Sequence, residues 1–253
     1  VYYNKTHYYT GSPITPSVVI EYKHNAVVKK DDKTETVTNF FALKEGFDYT
    51  VSYKDNTNVG TGKIIVTGMG NYEGVMTLPF DIIANQFSVS QYDGYAIYTG
   101  QATTGGAKVE VNNCEDAKVE YQHPDGSWKT DVPSFIEAKE YTFKYRVSKT
   151  GWATVEGTLK TVIVKEKGNI ELDKTSIELV MPNSEEINFT DATGNLSFTV
   201  KDNIVGVKQG NGKIVFTPLK EGNTVVTVNV AGSNNFESTS VNVYVTVRLG
   251  TLT

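Results

Sequence analysis

Histidine is the side chain most often used to move protons near neutral pH. This chain has three, His7, His24 and His123, widely separated in sequence. His123 stands beside Pro124–Asp125–Gly126, a turn signature, and all three read as surface histidines. The single cysteine, Cys114, lies in the polar stretch NNCED. It would act as a nucleophile only beside a base that the sequence does not display, so it reads as an inert thiol. One cysteine forms no internal disulfide, and there is no CxxC for zinc. Glycosidases hold two carboxylates across a cleft. The pairs here, Asp31–Asp32, Glu115–Asp116 and Glu185–Glu186, are sequence neighbours, which diverge in a strand or loop and read as solvated surface. Asp55, Asn56 and Asn58 in KDNTN offer hard oxygens to calcium, but their spacing is not that of an EF-hand loop. No HExxH, GxSxG, P-loop or dinucleotide glycine pattern occurs. The expectation is a protein that is not an enzyme, with no catalytic residue, no cofactor and no metal.

Aromatic side chains carry the remaining signal. Tyr2–Tyr3 and Tyr8–Tyr9 cluster at the start, and Tyr92, Tyr95 and Tyr98 follow one another loosely. Trp128 comes just after the Asp125–Gly126 turn, and with Tyr121 it would offer sugars a flat platform on one hairpin. These two are the candidate ligand-binding residues. The competing reading is that such rings fill cross-strand positions and cover the sheet.

The elements that must position these groups are strands. Glycine (22 residues) and tyrosine (15 residues) are abundant, and valine and threonine outnumber leucine and alanine. Branched and aromatic side chains suit a pleated, half-buried surface. In the run 141–147, Phe143, Tyr145 and Val147 share one face, with Thr142, Lys144 and Arg146 on the other. Val226, Val228 and Val230 alternate in the same way, as do Val241, Val243, Val245 and Val247. A period of two marks half-buried strands, and no comparable helical period is present. The net charge of −5 and the lack of a basic stripe argue against nucleic acid as a partner. No apolar run reaches the roughly 18 residues of a membrane-spanning helix. The chain opens on Val1 without an apolar signal region, so it is expected to be an excised or processed piece of a larger protein.

One pattern recurs. KIIVTGMGNYEG, YTFKYRVSKTGWATVEG and TVVTVNVAGSNNFEST each run as a strand to a valine (Val66, Val147, Val230) and then through a short polar loop to an aromatic. Those aromatics, Tyr72, Trp152 and Phe236, stand 80 and 84 residues apart in a chain of 253. Such spacing predicts three tandem antiparallel β-sandwich modules, residues 1–84, 85–167 and 168–253, in an elongated array with short joins. Each recurring ring is expected to plug the open end of its sandwich.

The residues also resemble known families. The third module carries Leu172, Thr175–Ser176–Ile177, Asn203–Ile204–Val205 with Val207, Gly212–Lys213–Ile214 and Gly222–Asn223–Thr224. In these it resembles the bacterial immunoglobulin-like repeats of surface proteins, closest to the group 2 type, with Phe198 where tryptophan is common. The first module is similar to an extracellular repeat of Gram-positive bacteria through Tyr9–Thr10–Gly11, Pro13, Pro16, Gly46, Asp48–Tyr49–Thr50–Val51, Asn58, Gly60 and Asn71–Tyr72. The middle module resembles a further such repeat through Tyr92–Asp93–Gly94, Asp125–Gly126, Trp128, Pro133 and Tyr141–Thr142. The resemblance implies an all-β fold of three tandem immunoglobulin-like domains. It also implies an extracellular place and a non-catalytic role, as the stalk or adhesion segment of a bacterial cell-surface or secreted protein. The alternative is a set of carbohydrate-binding modules accessory to a polysaccharide-degrading enzyme. A glycan or a cell-surface protein is the expected partner, with no membrane insertion within the segment, and the chain is expected to be a monomer.

Overall fold

The computed structural model describes residues 1–251. They form strands and no helix. Every sheet draws its strands from one of three stretches, 2–83, 89–164 or 171–248. The fold is therefore all-β, a tandem set of β-sandwiches. By the density of its contacts the chain divides into two compact units. One comprises residues 1–90, 110–119 and 146–157, and the other residues 91–109, 120–145 and 158–253.

In the first unit the principal sheet has the order Thr6–Tyr8, Val75–Ile83, Gly60–Gly68, Tyr49–Lys54. Thr6–Tyr8 runs parallel to its neighbour, while the other pairs are antiparallel. A second sheet is only the pair Tyr2–Tyr3 and Val18–Val19. Alternation sends Ile64 and Val66 of one strand and Phe80 and Ile82 of the next into a single buried cluster with Ile20 and Tyr49. Burying such side chains is the main favourable term, about 1.5–3 kcal/mol each.

Between Ile20 and Leu43, which are joined by a Leu43 N–H to Ile20 carbonyl bond of 2.8 Å, the chain leaves this sandwich. Glu21–Lys30 and Lys33–Ala42 pair antiparallel from Glu21↔Ala42 to Lys30↔Lys33. Asp31 and Asp32, at φ of 50° and 58°, make the turn, the two-residue form whose twist matches that of the strands. Of these 20 strand residues only Glu21 and Ala26 are even half-buried.

In the second unit, residues 171–248 build two four-stranded sheets. One runs Glu171–Leu172, Glu185–Thr190, Lys213–Pro218, Val205–Gln209, and the other Ser176–Val180, Thr239–Arg248, Gly222–Val230, Leu196–Val200. Lettered in chain order A, A′, B, C, D, E, F, G, the sheets read A–B–E–D and A′–G–F–C, the immunoglobulin arrangement. Eleven buried side chains from both sheets, including Ile187, Ile214, Phe216, Val226, Val228, Val243 and Val245, form one core between them. The alternation of valines in the sequence is this core's inward face.

The three stretches are not copies of one unit. The first and middle pair one large sheet with a two-stranded one, whereas the third has two sheets of four strands. In the first, strand Tyr49–Lys54 turns straight into Gly60–Gly68, leaving no chain for two further strands between them.

Candidate functional site

The candidate hairpin forms as expected. Gly126 sits at φ +83°, its N–H bonds the His123 carbonyl at 2.8 Å, and the His123 N–H bonds the Ser127 carbonyl at 2.8 Å. The short strand Trp128–Lys129 then pairs with Lys118–Gln122 in the register Tyr121↔Lys129 and Gln122↔Trp128. Directly paired residues share a face and adjacent ones do not. Trp128 therefore shares the face of Gln122, and Tyr121 points the other way. Tyr121 is 4% exposed, accepts the Val109 N–H on its hydroxyl at 3.0 Å and meets Phe143 edge-on at 6.3 Å. The structure does not bring the two rings together into one platform, because the one-residue offset commits Tyr121 to the core. Trp128 remains, half-buried, beyond the turn.

His123 also belongs to this unit. Its Nε2 lies 2.9 Å from the Asp131 carbonyl oxygen and 3.5 Å from the Asp131 carboxylate. Nearby is an open cleft of about 250 Å³ lined by Gln122, His123, Pro124, Phe135 and Tyr141, where the last two rings stack at 3.9 Å. Burial, and after it the negative charge of Glu137, pushes the Tyr141 phenol up from its ordinary value, so it stays a neutral hydroxyl, donating to the Glu137 carbonyl at 3.0 Å. The cleft has shape and a hydroxyl but no base set against a nucleophile.

Cys114 has the closest polar company. Lys149 Nζ lies 3.4 Å from its sulfur and 2.5 Å from Asp116 Oδ1, and the thiol donates to the same carboxylate at 3.3 Å. The Lys149 hydrogen bond, then that of Cys114, holds the Asp116 carboxyl below its ordinary value. The Asp116 hydrogen bond in turn holds the Lys149 ammonium above its own. A lysine kept protonated is not a base, and this trio has no nucleophile–base pair. Its pH signature follows. The pairing contributes to stability above the ordinary carboxylate range and is lost as pH falls through the depressed Asp116 value. At the alkaline end it is complete below the ordinary lysine value and is lost as pH rises through the raised one. Carboxyl-detected NMR titration is expected to place the Asp116 midpoint below 3.8, and Lys149→Met to move it upward. An unchanged midpoint in that variant would show that the contact is not formed in solution.

The other carboxylates and the calcium candidate have ordinary settings. Asp31 and Asp32 form the turn described above, and Glu186 pairs with Lys213 at 2.7 Å. In the 55–61 loop the Asn56 amide donates to the Ile14 carbonyl at 2.9 Å, and Lys63 stands 3.9 Å from Asp55. Among the described residues no three metal-ligating side chains of His, Cys, Asp or Glu converge.

The recurring aromatic loops do share a geometry, though not the one expected. Trp152 stacks on Phe87 at 4.7 Å, the Asn85 N–H bonds the Gly151 carbonyl at 3.0 Å, and the Ala153 N–H bonds the Asn85 carbonyl at 2.9 Å. Phe236 meets Tyr98 edge-on at 5.4 Å, the Glu166 N–H bonds the Asn235 carbonyl at 2.9 Å, and the Glu237 N–H bonds the Glu166 carbonyl at 2.8 Å. In each case one residue of a join, Asn85 or Glu166, is held by both its N–H and its carbonyl in a parallel bridge to the aromatic loop. Tyr72 meets Tyr22 of the long hairpin edge-on at 5.9 Å. All three rings are half-buried, and neither Tyr72 nor Phe236 is among the side chains packed on the buried cluster of its own stretch. Tyr72 and Phe236 are not core plugs, and Trp152 and Phe236 hold joins.

The hairpin 21–42 supplies the other unusual surface. Val27, Phe40 and Phe41 are 69%, 62% and 54% exposed. The register puts Tyr22, Ala26, Val37 and Phe41 on one face and Val27 and Phe40 on the other. At its root an open pocket of about 280 Å³ is lined by Ile20, Leu43, Tyr49, Val66, Tyr72 and Met76, with Asp48 and Glu73 at the polar side.

No protein-family model matches this chain, and no curated protein matches it. Solved structures do. The titin domains z1z2, crystallised in complex with telethonin, match over 67% of this chain and 100% of theirs, at 10% identity and a TM-score of 0.37. The surface layer protein SbsC, domains 1–6, matches over 95% of this chain and 41% of its own, at 14% identity and 0.33. Drosophila N-cadherin EC1-3 matches over 98% of both chains, at 11% identity and 0.30. Likenesses this distant carry no argument about ligand, partner or place. The class rests on the chain's own strand order: tandem β-sandwiches, the last of them immunoglobulin-like in topology.

Proposed function

We propose that the chain is a non-catalytic stalk and adhesion-type segment of a bacterial cell-surface or secreted protein. It is built from three modules at 1–84, 85–167 and 168–253, the third of the bacterial immunoglobulin-like group 2 type. The observation that carries this reading is the treatment of the joins. A free linker leaves its backbone to water, but Asn85 and Glu166 each spend both backbone groups on the aromatic loop that follows. The second join is reinforced by Asn235, which accepts the Ala138 N–H at 2.8 Å and donates to Glu137 at 2.6 Å. Joins fixed in this way transmit direction, which a spacer needs and an enzyme does not. The exposed hairpin 21–42, with Phe40 and Phe41, is the surface best suited to contact a glycan or a cell-surface protein. The carbohydrate-binding alternative loses support with Tyr121 buried. Small-angle X-ray scattering tests the reading: an elongated monomeric particle is expected, and a compact globule would overturn it.

A further inference from the structure

Two of the three aromatic loops hold an incoming join residue, and the third, at Tyr72, holds none among the described residues. Tyr72 closes its loop with an N–H bond to the Met69 carbonyl at 3.1 Å, as Trp152 does to the Lys149 carbonyl at 3.1 Å. In the occupied loops the carbonyl before the aromatic (Gly151, Asn235) and the N–H after it (Ala153, Glu237) take the join residue. At Tyr72 the corresponding groups, the Asn71 carbonyl and the Glu73 N–H, have no hydrogen-bond partner among the described residues, and both residues are exposed. Residues 1–5 do not reach this place. Tyr2 and Tyr3 pair with Val19 and Val18, and Thr6 already starts the parallel strand at Asp81. The equivalent strands begin at Gly94 and Ser176, nine and ten residues after Asn85 and Glu166.

The partner's chemistry is written in the occupied sites. Each uses the exit of a sandwich: the join residue, and the tyrosine of a Tyr-Thr-Gly turn whose N–H bonds the end of that sandwich's last strand. These are Tyr9 to the Ile83 carbonyl at 3.0 Å and Tyr98 to the Val164 carbonyl at 2.9 Å. Asn85 donates to the Tyr9 carbonyl at 2.9 Å, and Tyr98 lies against Phe236. The third sandwich has Met181-Pro182-Asn183 in that place, with the Met181 N–H on the Arg248 carbonyl at 2.9 Å and no tyrosine. The covering ring is Phe87 of the join at Trp152 and Tyr98 of the turn at Phe236, and the third sandwich offers a ring in neither place, residues 249–251 being Leu-Gly-Thr.

We propose that the Tyr72 loop is an acceptor for the exit segment of one more sandwich of the middle kind, carried on the same polypeptide: Asn71–Tyr72 matches Asn235–Phe236, which takes that exit, whereas the first kind needs a glycine, Gly151, where its Tyr9 ring lies. This rests on the tandem-array reading above. Two backbone hydrogen bonds and one ring contact are too little for a free partner to bind tightly, but they suffice when a short join sets a high local concentration.

Amide hydrogen exchange by NMR tests it. In the chain as it stands, Glu73 should exchange much faster than Ala153 and Glu237. In a fusion carrying a second copy of residues 89–169 directly ahead of Val1, the original Glu73 amide should slow by about tenfold or more. Tyr98→Ala in the added copy should reverse part of that, because Tyr98 is the ring that meets Phe236 in the occupied site. Unchanged exchange at Glu73, with the added copy folded by its own protected amides, overturns the proposal. Protection of Glu73 that grows with concentration in the unfused chain also overturns it, by assigning the loop to a second copy. Should the added copy not fold, residues 1–169 placed ahead of Val1 supply the same exit at Glu166, and the same readout decides. Scattering from the unfused chain reports the joins at Asn85 and Glu166, so failure there is distinguishable from failure at Glu73.

Discussion

Phe216→Ala is expected to destabilise the 171–248 sandwich by about 3–5 kcal/mol, the range for emptying a well-packed aromatic site. Phe216 is 0% exposed and sits on the strand flanked on both sides, paired with Glu185 and with Val207. Its neighbours in the core are β-branched side chains on regular strands, such as Ile187, Ile214, Val226 and Val243. Such residues are stiff at χ1 and cannot swing in to fill the space. A domain of this size holds only about 5–15 kcal/mol in total, so the variant should be close to unfolding. No tryptophan lies in 171–248 itself, and Trp128 lies in the same compact unit as Phe216, so the site-resolved readout is amide exchange, with the Ala153 amide of the other unit as the reference that should move little. Amide exchange at Val226, Val228 and Val243 should approach that of a locally unfolded segment. A loss below about 1 kcal/mol at those amides would mean that the two sheets are not closed on this ring.

The valine alternation was fully legible, because a strand with one wet and one dry face must write its period in the sequence. Val226, Val228, Val243, Val245 and Val247 are all buried, as are Phe143, Tyr145 and Val147. The recurring aromatics were legible as a repeat but not as a role. A ring after a polar loop has the same sequence pattern whether it covers its own core or a join segment arriving from elsewhere. The decisive contacts, Asn85 with Gly151 and Ala153, span more than 60 residues and are made by backbone groups, which carry no residue code. The hairpin 21–42 was missed for a different reason. Its turn is Asp31–Asp32, and aspartates can take positive φ but usually announce a turn only when glycine follows. Its strands, exposed on both faces, show no alternation to read. Tyr121 and Trp128 do share one hairpin, yet a side-chain period of two makes face assignment sensitive to a single residue of register.

Gly151→Ala should break the first join while leaving each sandwich folded. Gly151 lies at φ +78°, where an L side chain costs roughly 1–2 kcal/mol. Its Cβ would also overlap the Tyr9 ring, whose backbone carbonyl is held by Asn85. The ring has to leave, and with it goes the cover over the loop that bridges to Asn85. Gly126→Ala is the matched control. It has a similar φ of +83°, but an added Cβ there meets nothing within 4 Å, so it carries the backbone cost alone. Gly151→Ala is therefore expected to cost about 1–3 kcal/mol more than Gly126→Ala, the usual range for forced overpacking. It should also speed exchange of the Ala153 amide selectively, leaving Glu237 as it was. Adding Tyr9→Ala removes the clash, so the double variant should be less destabilised than the sum of the two single changes. Equal effects of Gly151→Ala and Gly126→Ala, with Ala153 exchange unmoved, would mean that Tyr9 does not rest on this loop in solution. The fixed join on which a stalk depends would then be absent.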